Sequence, residues 1–329
     1  KYIGFLTLLY AGTTSILSFN YSIYNYIVKK LKQWSLSAGN ISFYTSNGTP
    51  ETLRDKTVNI ENVKNISVHV PTHHKPAKSD EFSHYLAGLI DGNGEFNSKQ
   101  ELVIKFNSSD ASLAYYIKKR LGYGSVKKVK KVKGETAFLL VVSNIKAIEK
   151  VIDLINGKIR TSKIFTEINE NILNKGSGSG SGSKSYLYGN NLNFFKLNPD
   201  KDLKNYWLAG FSDAKASFHI KAFIDRSKIE LNFQINEIED ENILYIKNSL
   251  GGKIEYKDTC QYKTSSLGST KKVIKYFDKF HLLSSKHVNY LKWRKAYLII
   301  QENEHLSDEG LKKIIKRKNT INRLSVDTV

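Results

Sequence analysis

The spacing of apolar and polar positions divides most of the chain into two runs with one order of elements. In the first run, helical spacing over residues 82–90 gives way to strand patterns near Glu95–Phe96 and Glu101–Asn107. The stretch DASLAYYIKKRLG then predicts a helix starting at Asp110 and ending at Gly122. Strands near Ser125–Lys131 and Thr136–Val142 and a helix over Ile145–Ile155 complete the run. In the second, a helix near Tyr206–Ser212 leads to strands at Phe218–Phe223 and Ile229–Ile235, a helix in EDENILYIKNSLGG, strands around Lys253–Tyr256 and Tyr262–Ser266, and a helix in STKKVIKYFDKF. Both halves read α-β-β-α-β-β-α, an α+β class with an internal duplication. Two further helices, SSKHVNYLKWRKAYLIIQENEHL and SDEGLKKIIKRKNTIN, brace the second half, the latter capped by Ser307.

The boundaries follow from composition. GSGSGSGS at residues 176–183 cannot pack a core and reads as a flexible tether, regular enough to be engineered. It divides the chain into an extension over 1–79, a first domain over 80–175, a linker over 176–198 and a second domain over 199–329. Residues 2–28 are long and uncharged enough to span a bilayer, with Lys29, Lys30 and Lys32 as a basic flank, but Asn20 and Asn25 suit a helix packed on the body equally well. Residues 34–80 read as an arm wrapping the first domain or as a plain linker. GTPETLR marks a helix start there and Ile66–Val70 a short strand.

Charge narrows the partners. The net charge of +20 calls for a polyanion, nucleic acid or an anionic membrane surface. The single cysteine, Cys260, excludes an internal disulfide framework and a Cys-rich zinc site. The absence of methionine reads as a segment of a longer product.

The second-run helix repeats the first at the level of residues. LAGLIDGNGEF, residues 86–96, returns as LAGFSDAKASF, residues 208–218. Ala87, Gly88, Ala209 and Gly210 would let two helix backbones approach closely, placing the motif helices together at a pseudo-twofold axis. Two carboxylates at the base of such an interface would suit divalent cations acting on phosphodiesters. The plainer reading is two helix ends, with Gly92 and Gly94 as turn residues.

LAGLIDGNG and LAGFSDAKA resemble the signature of the double-motif LAGLIDADG homing endonucleases and group I intron maturases of mitochondrial introns. The resemblance spans roughly residues 80–300 and includes LAYYIKKRLGYGSV, VIDLINGKIRT and LLSSKHVNYLKWRKAY. It implies motif helices packed between the domains, a saddle-shaped antiparallel sheet in each half lying along nucleic acid, and metal-binding acids at the eighth motif positions. Those positions hold Asn93 and Lys215. An ammonium about 4 Å from a divalent ion would be repelled by about 8 kcal/mol at an effective dielectric near 20. The catalytic half of the motif is therefore expected to be lost and its packing half kept.

The reading that follows is a nucleic-acid-binding protein without nuclease activity, holding structured RNA as an intron maturase or ribonucleoprotein component. It needs no cofactor, acts as a monomer with an internal pseudo-twofold, and sits in the mitochondrial matrix or on the matrix side of the inner membrane. A site-specific DNA endonuclease, weakly active or deliberately inactivated and requiring Mg²⁺, is the alternative, and a scaffold subunit of a mitochondrial assembly is another. Candidate contacts to nucleic acid are Lys99, Lys105, Lys127, Lys128, Lys130, Lys131 and Lys133 in the first half, with Lys158 and Arg160. The second half offers Lys215, His219, Lys221, Arg226, Lys228, Lys253, Lys257, Lys263 and Lys286. By the resemblance, Lys158 and Lys286 would flank a scissile phosphate; as residues alone they read equally well as helix-capping lysines. His73 and His74 read as arm features, and Trp293 with Tyr297 as core.

Overall fold

The computed structural model describes residues 65–130, 136–173, 195–200, 202–222, 229–236, 240–256, 259–264 and 266–321. The apolar segment 2–28, GTPETLR, the tether at 176–183, and Lys131, Lys133, Arg226, Lys228 and Lys257 lie outside them. In the first half, α1 (Ser79–Asn93) leads to β1 (Gly94–Phe96), β2 (Leu102–Asn107), α2 (Ala111–Leu121), β3 (Ser125–Lys130), β4 (Thr136–Val142), α3 (Ile145–Ile155) and α4 (Ser162–Ile168). The second half runs α5 (Trp207–Lys215), β5 (Ala216–Ala222), β6 (Ile229–Asn236), α6 (Asp240–Leu250), β7 (Lys253–Tyr256), β8 (Cys260–Lys263), α7 (Leu267–Lys279), α8 (Lys286–Gln301) and α9 (Asp308–Thr320). The strands form two antiparallel four-stranded sheets, ordered β1-β2-β4-β3 and β5-β6-β8-β7. The fold is thus the duplicated α+β arrangement that the periodicity predicts.

Local chemistry explains the element ends. At the start of α1 the Glu81 carboxylate accepts from the Ala77 and Lys78 backbone N–H groups, satisfying donors that the helix leaves open. Its apolar stripe, Phe82, Tyr85, Leu86, Leu89 and Ile90, is buried, each side chain worth roughly 1.5–3 kcal/mol. α2 ends where Gly122 turns left-handed at φ +80 and donates to the Lys118 carbonyl. α9 is capped by the Ser307 hydroxyl, which accepts from Gly310 N–H.

Four local expectations are corrected. Both motif helices run about a turn further than the pattern suggests, to Asn93 and Lys215, because contacts between the helices hold the last turn. Gly92 and Gly94 are absent from the positive-φ residues, so neither is a turn glycine in the sense expected. Ile66–Val70 is not a strand. Its polar backbone groups are met by side chains instead: Ile66 exchanges hydrogen bonds with Gln301, and Arg294 donates to the Ser67 and His69 carbonyls. This part of the arm is fastened to the second half, where wrapping of the first was expected, and it reaches the first half where Arg120 donates to the Pro76 carbonyl. Finally, α4 went unpredicted, although Ile164, Ile168 and Ile172 repeat at a helical interval of four and are all buried.

The C-terminal helices close the second core. Trp293 is fully buried with its ring 5.3 Å from Phe218, and Arg294, also fully buried, is neutralised by Asp278 at 2.9 Å. Among the described residues no helix is long and apolar enough to cross a membrane.

Candidate nucleic-acid interface

The two motif helices meet through their glycines. A methyl group on Gly88 would stand 1.9 Å from the Trp207 carbonyl oxygen, and one on Gly210 would stand 2.0 Å from that of Tyr85. Tyr85 and Trp207 each precede the first Leu of their motif, so the contact is pseudo-symmetric. Ala87 and Ala209 are fully buried beside them. One turn on, a methyl on Gly92 would lie 2.3 Å from the Ala214 Cβ, so the gap on one helix receives the methyl of the other.

The sixth-position aspartates extend this exchange. Asp91 accepts from the Trp207 indole N–H at 2.7 Å, from the Arg160 and Thr161 backbone N–H groups, and from the Thr161 hydroxyl at 2.6 Å. Asp213 accepts from the Tyr85 hydroxyl at 2.6 Å, the Leu283 N–H and the Ser284 hydroxyl. Each half's acid thus binds the aromatic residue of the other half's motif and the loop after its own half. Burial pushes Asp91 up to about 6 and raises Asp213 as well, while the hydrogen bonds pull both back down.

At the eighth positions, Asn93 donates its amide to the Lys105 carbonyl at 3.3 Å. Lys215 ends α5 half-buried beside Lys286, whose ammonium donates to the Ser212 and Ala214 carbonyls. Burial, with Lys215 adding repulsion, lowers Lys286 to about 8. Lys286 therefore caps the motif helix rather than reaching outward. Lys158 is 3.7 Å from Asp80, at the opposite end of α1 from Asn93, which removes it from the motif ends. Arg160 is also corrected: it is buried, its guanidinium 4.9 Å from the Trp207 ring and donating to the Asp202 carbonyl, and so faces no polyanion.

The sheets present different outer faces. Cross-strand pairing puts Glu95, Val103, Lys105, Asn107, Ser125, Lys127, Val129, Ala137, Leu139 and Val141 on the first outer face. Among the described residues only Lys105 and Lys127 are basic there, flanking Leu139, and Lys105 pairs with Glu95 at 3.2 Å. Lys128 and Lys130 belong by register to the opposite face, and Lys99 sits exposed on the β1–β2 turn. The second outer face carries Ser217, His219, Lys221, Glu230, Asn232, Gln234, Asn236, Gln261, Lys263, Lys253 and Glu255. Burial and the neighbouring Lys221 and Lys263 lower His219, which favours its neutral form. Its amides, hydroxyl and lysines match the donors and acceptors that base edges and phosphates offer. The single-residue alternation of β5 and β6 encodes this polar face; sequence reading singled out its lysines and His219 and passed over Asn232, Gln234, Asn236 and Gln261.

If Lys105, Lys127, Lys221, Lys253 and Lys263 engage phosphates, affinity should fall with salt on a log–log slope of about −4 to −5 for duplex DNA. Titrations across salt check this, and a flat response would remove the sheets from the binding surface.

Comparison with known proteins bears on both fold and ancestry. A family profile described as LAGLIDADG endonuclease matches residues 208–297. The chain is 50% identical over 337 residues to an uncharacterized cox1 intron-2 37.2 kDa protein of Schizosaccharomyces pombe, covering 96% of this chain and 99% of that relative. It is 26% identical to the probable intron-encoded endonuclease 4 of Neurospora crassa, over 75% of this chain and 45% of that one. Among solved structures it resembles the I-LtrWI LAGLIDADG homing endonuclease bound to target DNA, with a TM-score of 0.55, 23% identity and coverage of 75% of this chain and 99% of that chain.

Proposed function

Because the chain belongs to the LAGLIDADG endonuclease family, we propose that it is a member that binds nucleic acid without cutting it and holds structured RNA, as an intron maturase or ribonucleoprotein component. The observation that carries this reading is the state of the motif ends. The eighth positions offer one amide, already donating to a backbone carbonyl, and one ammonium. A divalent metal, which the family's chemistry implies, does not fit there: the Ser212 and Ala214 carbonyls hold the Lys286 ammonium instead. The nearby carboxylates, Asp91 and Asp213, are committed to N–H and O–H donors. What survives is a pseudo-twofold platform whose second sheet face is polar and basic and whose first carries Lys105 and Lys127, which supports binding by phosphate contact. The relative's origin in a cox1 intron supports a mitochondrial site of action, in the matrix or on the matrix side of the inner membrane.

Incubation with candidate DNA targets in Mg²⁺ should yield no cleavage at any site. Chelator-sensitive cutting would overturn the reading. The double reversion Asn93→Asp with Lys215→Asp tests whether the remaining scaffold can still support a metal pair. Sequencing of nucleic acid that co-purifies with the chain, with and without ribonuclease, decides between RNA and DNA.

A second reading, a site-specific DNA endonuclease, is favoured by the name of the Neurospora relative and by the DNA in the I-LtrWI structure. The same cleavage experiment separates the two.

A further inference from the structure

The halves differ where β5 and β6 meet. The β5–β6 ladder runs through Ala222↔Ile229, seven pairs long, whereas β1 and β2 pair over three residues before a tight turn in which Gln100 donates to the Asn97 carbonyl. β6 pairs with β8 only from Gln234↔Lys263 to Asn236↔Gln261. One more backbone bond, from Thr264 N–H to the Phe233 carbonyl at 3.0 Å, follows before the two strands part. The freed backbone groups are met by hydroxyls: Thr264 Oγ1 accepts from Phe233 N–H and donates to the Leu231 carbonyl, to which Thr270 also donates. The gap is therefore stable without a strand to fill it.

The gap is a cavity of about 370 Å³ to which the outer-face residues Asn232, Lys253 and Lys263 contribute, near the lower end of ligand-pocket sizes. Ile229, Leu231 and Leu267 give it apolar surface; Lys253 and Lys263 line it, both within ion-pair distance of Glu255, and Glu230 lines it as well. Asn232 lines it. That side chain is only 5% exposed, and its amide nitrogen has no hydrogen-bond partner. A buried donor left open carries a desolvation cost that a ligand acceptor would recover.

From this placement we infer that the cavity takes one unpaired, extrahelical nucleotide of a folded RNA, with the Asn232 amide donating to an acceptor on the base. Ile229 and Leu267 cover the base faces, and Lys253 and Lys263 meet the adjoining phosphates. A base stacked inside a duplex cannot present its edge at the bottom of such a cavity. Folded RNA offers bases already splayed out in loops and bulges, and proteins read RNA sequence mainly there. The inference rests on the RNA-binding reading above and makes it specific.

The test uses the full chain with three probes: an RNA hairpin with an unpaired, thiouridine-substituted loop, a blunt RNA duplex of the same stem, and the matching DNA duplex. Photocrosslinks from the loop should map to residues 229–232 or 263–270. Asn232→Ala should weaken hairpin binding about tenfold, the effect of one lost buried hydrogen bond, and weaken either duplex several-fold less than that. Leu267→Trp fills the cavity from an exposed helix start, where folding is not at stake, and should give the same pattern. Equal loss on all three probes, or none on the hairpin with crosslinks elsewhere, overturns the cavity assignment while the RNA-binding reading stands. A parent chain that binds neither RNA probe overturns both.

Discussion

Alanine at Gly88 or Gly210 is expected to cost about 3 kcal/mol or more, a fall in melting temperature of roughly 10 °C. Added methyl groups there would meet backbone carbonyl oxygens at 1.9 and 2.0 Å, and a backbone cannot swing aside as a side chain can. The helices would have to separate, which breaks the Asp91–Trp207 and Asp213–Tyr85 bonds along the same seam. Leucine at either position should be worse, and affinity for nucleic acid should fall with stability, since the seam sets the angle between the sheets. Gly268→Ala is the control: its methyl would meet nothing closer than 3.7 Å, and alanine favours the helix. The Gly92–Ala214 contact supplies a sharper version. Gly92→Ala alone should destabilise, and adding Ala214→Gly, which moves the methyl across the pseudo-twofold, should restore most of the loss. Thermal unfolding of the single and double variants measures this, and additive losses would mean that the helices do not meet there. Gly94, which the sequence places safely past the helix, is no neutral comparison, because its methyl would stand 2.7 Å from the Ile90 carbonyl oxygen.

Asp91→Ala is the second large effect expected, about 3 kcal/mol or more. It strands the Trp207 indole, two backbone N–H groups and the Thr161 hydroxyl in a buried site, each costing roughly 1–3 kcal/mol if nothing replaces the acceptor. The pH dependence has a defined sign. Burial raises Asp91 from 3.8 to about 6, so the folded state takes up its proton before the unfolded chain does. The stability this group contributes is complete below 3.8 and is lost as pH rises through about 6. The gap between parent and Asp91→Ala, followed by urea unfolding, should therefore widen as pH falls from 7 to about 4. A gap independent of pH would show that Asp91 titrates as an ordinary exposed carboxylate. His84, His281 and His287, all lowered by burial, act in the opposite direction in both proteins and cancel in the comparison.

What the sequence determined by itself was carried by short-range periodicity and by repetition. Alternation in β2, β5 and β6, helical spacing in α2, α3 and α7, and the doubled motif were enough to place the elements and the α+β duplication, since each depends on a residue's own neighbours. That Asn93 and Lys215 stand where the resemblance implies acids is equally legible, because it is a matter of residue type. Tertiary structure decided whatever depends on partners far away in the chain. Arg160 looks like a surface cation in the sequence, yet it lies buried beside Trp207; for Lys286 the sequence leaves a phosphate contact and a helix cap both open, and the structure makes it the cap of the helix that carries Lys215. Ile66–Val70 has strand composition but finds side chains rather than a strand, because Gln301 and Arg294 reach it from more than two hundred residues away. The crossed bonds of Asp91 and Asp213 and the open cavity at Asn232 belong to the same class. A carboxylate's acceptor capacity and an amide's donor capacity are written in the chain, but which groups meet them is settled only when the two halves pack.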